Sequence, residues 1–291
     1  MTKEEPRNIL ALARELGFPA EALPPLERAA EALPALPLEE LASPEGAEAA
    51  WKLTAERLPA WESEDGGMSQ LAATLAAACG TREACRRAGI SDRVFLDTMG
   101  CLPRFLKETR VLTGRWAYDR GSWTWRQTGG LLFRLGTLEF EYGAAGEGAH
   151  GLTPGDPVLF VHVPSDASLD RAALDDSYAQ ARRFFGAEGP AFHGSGAPRA
   201  FLCESWLLAP ALEELLPEDS GIRRFAGDFR RFRVLEDDPS FYRWLFRHLG
   251  PAPLEELRED TGLQRAAKAR LAAGGKLGAA WGILREEKRD G

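Results

Sequence analysis

The sequence predicts two parts: an all-helical N-terminal domain over residues 1–112, followed by a mixed-sheet α/β domain over residues 113–291. Three observations carry this reading. Up to about residue 115 the chain is dense in Ala, Leu, Glu and Arg, its apolar residues recur at helical spacing, and no stretch alternates with period two. From Leu131 the texture changes, and Leu138, Phe140 and Tyr142 alternate with Glu139 and Glu141 as in a half-buried strand. Val158 to Val163 is then an apolar run of strand length that belongs inside a sheet. At 291 residues, 44% of them hydrophobic, the chain is long enough for about two domains, each with its own core.

The helical elements follow in order. Asn8 to Leu16 reads as a first helix stopped by Gly17 and Pro19, Leu26 to Leu33 as a second, and Pro44 to Leu58 as a third. Gly66-Gly67 breaks the chain, and Ser69 caps a longer helix carrying Leu71, Leu75 and Ala78 on one stripe. Ser91 or Asp92 caps the next, which runs through Phe95, Met99 and Phe105 with a kink or a break expected at Pro103. In the second part, Asp170 or Ser168 caps a helix whose Leu174, Tyr178, Ala181 and Phe185 share a face. Phe201 to Leu208 reads as a strand, Ala211 to Leu216 as a short helix and Ile222 to Leu235 as a hairpin or long strand. Phe241 to Leu249 reads as helix. Asp260-Thr261 caps a last helix ended by Gly274-Gly275, and Lys276 to Leu284 is a terminal strand. Strand–helix–strand alternation implies at least one βαβ-like crossover.

Composition excludes several classes. A formal net charge of −8 argues against a nucleic-acid partner. Met1 to Glu5 offers no positive region leading into an apolar run, so no signal peptide is expected, and nothing reaches the ~18 apolar residues of a membrane span. Cys79, Cys85, Cys101 and Cys203 form no Cys-x-x-Cys pair and have no His at zinc-binding spacing. Free thiols, no metal and a cytoplasmic location follow as expectations.

Some motifs have simpler explanations. Gly274-Gly275-Lys276 lacks the earlier Gly and the following Ser or Thr of a phosphate loop, so a helix end explains it better. His193-Gly194-Ser195-Gly196 is not set on a strand–turn–helix elbow. More informative is the buried strand Val158 to Val163, followed by Pro164, a short polar loop and a helix N-terminus, an arrangement that can hold a pyrophosphate. Against that, no Gly lies between Pro164 and Asp170, and Asp166 and Asp170 repel phosphate. Trp116, Trp123 and Trp125 with Arg115, Arg120, Arg126 and Arg134 can stack on a planar or anionic ligand, or simply form a core with snorkelling arginines. His162 on its apolar strand reads either as a hydrogen-bonded structural residue or as a base. Glu139 and Glu141 read as an exposed face or as chemistry.

Several strings taken together resemble a bacterial family of acyltransferases that joins a helical N-acyltransferase N-terminal domain to a GNAT-like C-terminal domain. They are Phe95 to Met99, Tyr118 to Gln127, Leu132 to Glu141, His162 to Ala167, Ser205 to Leu208 and Gly274 to Gly278, in the same order along residues 70–284. The chain shares the family's lack of a glycine-rich pyrophosphate loop and has Glu204 where the family usually shows His before the Ser-Trp pair. The resemblance implies a GNAT-like α/β domain and direct acyl transfer from an acyl-CoA, expected to be acetyl-CoA, to an amine on a small-molecule acceptor. Under that reading Val158 to Val163 splays from Phe201 to Leu208 and the thioester lies between them. Val161, Val163, Ser165, Asp166, Ala167 and Ser168 are then the candidate cofactor contacts. His162, Glu141 and Ser205 are the candidate catalytic groups, and Trp123, Trp125, Arg126 and Trp206 the candidate acceptor contacts. The rival is a GNAT-like scaffold without catalysis that binds a ligand or partner.

Overall fold

The structure, a computed structural model, describes residues 5–149, 151–186, 189–190 and 197–284. The chain divides into two compact units at Arg134/Leu135. The first is helical: α1 (Glu5–Glu15), α2 (Leu23–Glu31), α3 (Leu38–Leu41), α4 (Ala47–Ala55), α5 (Met68–Arg87), α6 (Asp92–Met99), α7 (Cys101–Thr113) and α8 (Gly121–Thr128). Among the described residues no strand precedes Leu132.

Helix α5 is the axis of this unit, with α1, α2, α3, α6 and α8 packed around it. A helix surrounded on all sides needs no polar face. Leu71, Ala72, Ala73, Thr74, Leu75, Ala77, Ala78 and Thr81 are accordingly all buried, and their small side chains let the neighbours approach. Its start corrects one expectation. Ser69 lies inside the helix, and its N–H donates to Asp65 Oδ2 at 2.9 Å, so Asp65 supplies the acceptor while Gly67 turns the chain at φ 74°. A second correction concerns the place of the kink or break. Ser91 does cap α6, accepting from the Val94 N–H, but the helix breaks at Gly100, and Pro103 sits harmlessly in the first turn of α7, where its missing N–H has no helical partner to lose.

Arg82 of α5 ties three helices together through Glu15 at 2.7 Å and Asp92 at 3.0 Å, with Arg86 adding a second contact to Asp92 at 3.0 Å. Hydrogen bonds from Arg82, then Arg86, hold the Asp92 carboxyl down at about 2, below its ordinary 3.8. A depressed carboxyl stabilises the fold above its unfolded pKa and ceases to as pH falls through the folded one. The thermal midpoint of the native chain should therefore exceed that of Asp92→Asn above about pH 4, with the gap closing toward about pH 2. Parallel pH curves for the two proteins would contradict this.

The second unit is built on a mixed sheet of β2 (Leu138–Ala144), β3 (Pro157–His162), β4 (Ala200–Ser205), β5 (Phe229–Leu235) and β6 (Ala279–Leu284), with β1 (Leu132–Leu135) spanning the division, ordered β1-β2-β3-β4-β6-β5. Its helices are α9 (Arg171–Phe184), α10 (Leu212–Leu215), α11 (Gly221–Gly227), α12 (Ser240–Trp244) and α13 (Gly262–Ala272). Strands β3 and β4 are parallel and joined through α9, while β2–β3, β4–β6 and β5–β6 are antiparallel. Phe140 and Phe201 on one sheet face meet Tyr178 of α9, with ring centroids 5.6 to 6.5 Å apart.

Several sequence expectations change here. Ile222 to Leu235 is a short helix followed by a strand, Phe229–Leu235, whose pairing with β6 shifts register between Arg231 and Arg233. Strand β4 ends at Ser205, whose hydroxyl accepts the Leu207 N–H at 3.1 Å and turns the chain into a 3-10 turn over Trp206–Leu208. The helix near Phe241 ends at Trp244, and Arg247 takes a φ of 53°. Glu139 does not face solvent: it is 3% exposed. Thr261 caps α13 in a full capping box with Gln264, and Gly274 at φ 79° follows its end. Lys276 pairs with Asp237 at 2.8 Å, so the Gly-Gly-Lys string is a helix terminus and a surface ion pair. The His193–Gly196 motif lies outside the described residues. The four cysteines are free, and no helix among the described residues is long and apolar enough to cross a membrane.

Candidate active site

The site begins with a mismatch of strand lengths. Parallel pairing between β3 and β4 covers Val158↔Ala200, Leu159↔Phe201 and Phe160↔Leu202. The closed end is fastened by the Arg199 N–H on Pro157 O at 2.8 Å and by Arg199 on Asp156 at 2.8 Å. At the other end β3 continues to His162 and β4 to Ser205, each still paired on its outer side, His162 with Glu139 and Ser205 with Ala280. The sheet thus parts into two halves past Phe160 and Leu202, leaving a wedge with strand backbone on both flanks.

Side chains alternate across the sheet, and directly paired residues share a face. One face of the wedge carries Glu139, Glu141, Phe160 and His162 from β2 and β3, with Leu202 and Glu204 from β4 and Trp281 from β6. The opposite face carries Phe140, Val161, Phe201, Cys203 and Ser205. Glu141 lies diagonal to His162, and its Oε2 is 2.9 Å from His162 Nε2. The pair is half-buried, the side chains being 15% and 27% exposed. That arrangement can orient an imidazole and stabilise its protonated form, which is what a general base requires.

The remaining sequence candidates are placed as follows. Ser205 is on the face away from Glu141 and His162. Because its oxygen accepts from Leu207, its O–H proton remains to be donated. Trp206 turns into a satellite core with Phe241, Leu245, Phe246 and Leu257. Trp123 and Trp125 belong to the helical unit, where the Arg126 guanidinium lies 4.2 and 4.4 Å from their ring centres. Val161 is buried and Val163 half-buried, and Ser165, Asp166 and Ser168 are exposed beyond them. In that loop the Ala167 N–H donates to Pro164 O at 3.0 Å, the Ser168 N–H to Thr137 Oγ1 at 2.7 Å and the Asp170 N–H to Ser168 Oγ at 3.2 Å. These donors are therefore spent within the protein, two on the loop itself and one on Thr137 of the β1–β2 turn. Among the described residues no cluster of His, Cys, Asp and Glu could hold a metal.

Sequence reasoning passed over Glu204 as a site residue. Its side chain reaches solvent, yet the surrounding protein desolvates the carboxyl enough to raise its pKa, with Asp238 adding to the shift and Arg233 opposing it. Alternation along β4 would have shown its face, but only with the register to β3 known.

A sheet parted between two parallel strands is the mark of GNAT-like architecture, and comparison with known proteins agrees. Residues 132–284 match the GNAT-like C-terminal domain and residues 1–130 the N-acyltransferase N-terminal domain. The chain belongs to the acyltransferase family that joins these two domains. Comparison with curated proteins gives no match. Among solved structures, an acyltransferase in complex with decanoyl-CoA and teicoplanin is 25% identical, with a TM-score of 0.74 over 94% of this chain and 86% of that one. An acyltransferase mutant in complex with octanoyl-CoA is 24% identical, with a TM-score of 0.75 over 98% and 88%. A third, in complex with CoA and 10C-teicoplanin, is 24% identical, with a TM-score of 0.68 over 96% and 99%.

Proposed function

We propose that the protein is an acyl-CoA-dependent N-acyltransferase that passes an acyl group directly from the thioester to an amine on a small-molecule acceptor. The observation that carries this reading is the wedge past Phe160 and Leu202, flanked on one face by the Glu141–His162 pair. Pantetheine amides pair with the backbone of Val161 to Val163, and the pyrophosphate end lies toward Ser165, Asp166, Ala167 and Ser168. With Nε2–H donated to Glu141, the imidazole lone pair is on Nδ1 and takes the proton of the attacking amine. The amine nitrogen bonds to the thioester carbon, the carbon–sulfur bond breaks, and the leaving thiolate is steadied from the other face by the Ser205 hydroxyl. Proximity in the wedge supplies much of the rate. Trp123, Trp125, Arg126 and Trp206 remain candidates for acceptor contact, and the net charge of −8 with four free thiols fits a cytoplasmic enzyme acting on a small molecule.

The relatives hold octanoyl-CoA and decanoyl-CoA, so the acyl group to test extends beyond the acetyl expected from the sequence. A second reading, a ligand-binding module without catalysis, is favoured by the loop donors already committed at Ala167 and Ser168. One experiment separates them. Acetyl-, octanoyl- and decanoyl-CoA are added to the purified protein, the thermal midpoint is followed, and free CoA thiol is measured with teicoplanin as first acceptor and a panel of primary amines after it. A thioester at ~100 times its Kd should stabilise the fold by about 2.7 kcal/mol, and thiol release should depend on the amine. A shift without amine-dependent release establishes the binding module, and no shift with any thioester ends the acyl-CoA reading.

A further inference from the structure

We propose that Glu204 binds the acceptor in its ammonium form at the open end of the β3–β4 wedge, with the ring of Trp281 as the second contact. The inference rests on the transferase reading above and assigns a substrate class to it: a cationic amine, recognised by charge before it is deprotonated.

Three observations converge on this residue. Glu204 lies on β4 beyond the last β3–β4 pairing, so its backbone flanks the wedge and not the closed sheet. Its side chain shares a face with Glu141 and His162, on the opposite flank of the gap. The residue directly across on β6 is Trp281, half-buried and held edge-on by Phe160, with centroids 6.1 Å apart and planes at 73°. A carboxylate beside an aromatic ring is the pairing that ammonium groups favour, through a charge-assisted hydrogen bond and attraction to the ring face. Among the described residues the Glu204 carboxylate makes no hydrogen bond and no salt bridge, although Arg233 is near enough to influence it. Its carboxylate is exposed at the mouth of the wedge, where a cationic ligand can reach it.

The geometry divides the labour. Glu204 captures the ammonium on the β4 side, and Glu141–His162 takes its proton on the β3 side as the nitrogen turns toward the thioester. Glu204 is then a specificity residue that acts on acceptor binding, distinct from the base.

The test compares wild type with Glu204→Gln and Trp281→Leu, using octanoyl-CoA and whichever amine wild type acylates. Glu204→Gln should raise the acceptor KM by about tenfold to 10²-fold, leave kcat within about threefold, and leave both the thermal midpoint and its rise with octanoyl-CoA unchanged. Trp281→Leu should raise the acceptor KM severalfold. Glu204→Asp, which keeps the charge, should recover part of the loss. The charged groups around Glu204 are Arg233 on β5 and Asp238 just after it, with Glu139, Glu141 and His162 along the face. The pH readout is therefore the ratio of acceptor KM between Glu204→Gln and wild type, which should fall toward one as pH drops through the carboxyl pKa. A Glu204→Gln enzyme with unchanged acceptor KM overturns the proposal and leaves the transferase reading standing. A wild type that acylates no amine overturns both. A fall in octanoyl-CoA binding would place Glu204 on the cofactor and also overturn it.

Discussion

Substituting His162 by Ala is expected to lower turnover by roughly 10²-fold or more, the usual cost of losing a positioned general base. The thermal midpoint should change little. His162 is bonded to Glu141 at 2.9 Å but is only half-buried, so removing the ring lets water reach the carboxylate it leaves behind. The net stability contributed by such a bond is about 1 kcal/mol. Glu141→Gln is the informative companion. It preserves shape and can still accept the Nε2–H, but it withdraws the charge that stabilises a protonated imidazole, so its effect should fall on kcat with octanoyl-CoA binding intact. If the pair is structural, the pattern inverts: His162→Ala destabilises by about 1–3 kcal/mol while the surviving folded enzyme works at the normal specific rate. That result would remove His162 and Glu141 from the mechanism without touching the wedge.

Much of this fold was legible because local chemistry and tertiary structure agree. Ser91 and Thr261 cap helices as their types dictate, and the Thr261 box with Gln264 is readable at a spacing of three. The alternation of Leu138, Phe140 and Tyr142 marked β2 without help from its neighbours. Failures fall where a local pattern admits two periods. Phe225, Phe229 and Phe232 satisfy helical spacing as well as an interrupted strand, and the chain uses both. Glu139 looked like the polar side of a two-faced strand, but it is buried at its place on the second face, which no single strand reveals. The site was legible in part for the same reason. Val158 to Val163 announced a buried strand leading to a helix, and the resemblance pointed to a splayed neighbour. That Glu141 touches His162 depends on the β2–β3 register, and that Glu204 shares their face depends on three parallel pairings between β3 and β4. Neither register is written in the strands themselves.

Phe140→Ala should be among the most damaging single substitutions in the second unit, at about 3–5 kcal/mol. Phe140 is fully buried, and its ring meets Phe201 at 5.6 Å and Tyr178 at 6.5 Å, both edge-on. These three rings join β2, β4 and α9, elements from both halves of the parted sheet and the helix that packs over them. Truncation leaves a cavity that cannot collapse easily, because the strand backbones on either side are fixed by their own hydrogen bonds. Phe140→Leu keeps most of the volume and should cost less than half as much. The same rings hold β2 and β4 in place at the root of the wedge, so the Ala variant should also bind octanoyl-CoA more weakly. A denaturant titration with and without octanoyl-CoA reads both effects, the first as a lower midpoint and the second as a smaller ligand-induced rise. A loss under about 1 kcal/mol would mean that α9 settles into the space, and that the face opposite His162 is not the rigid wall on which the wedge depends.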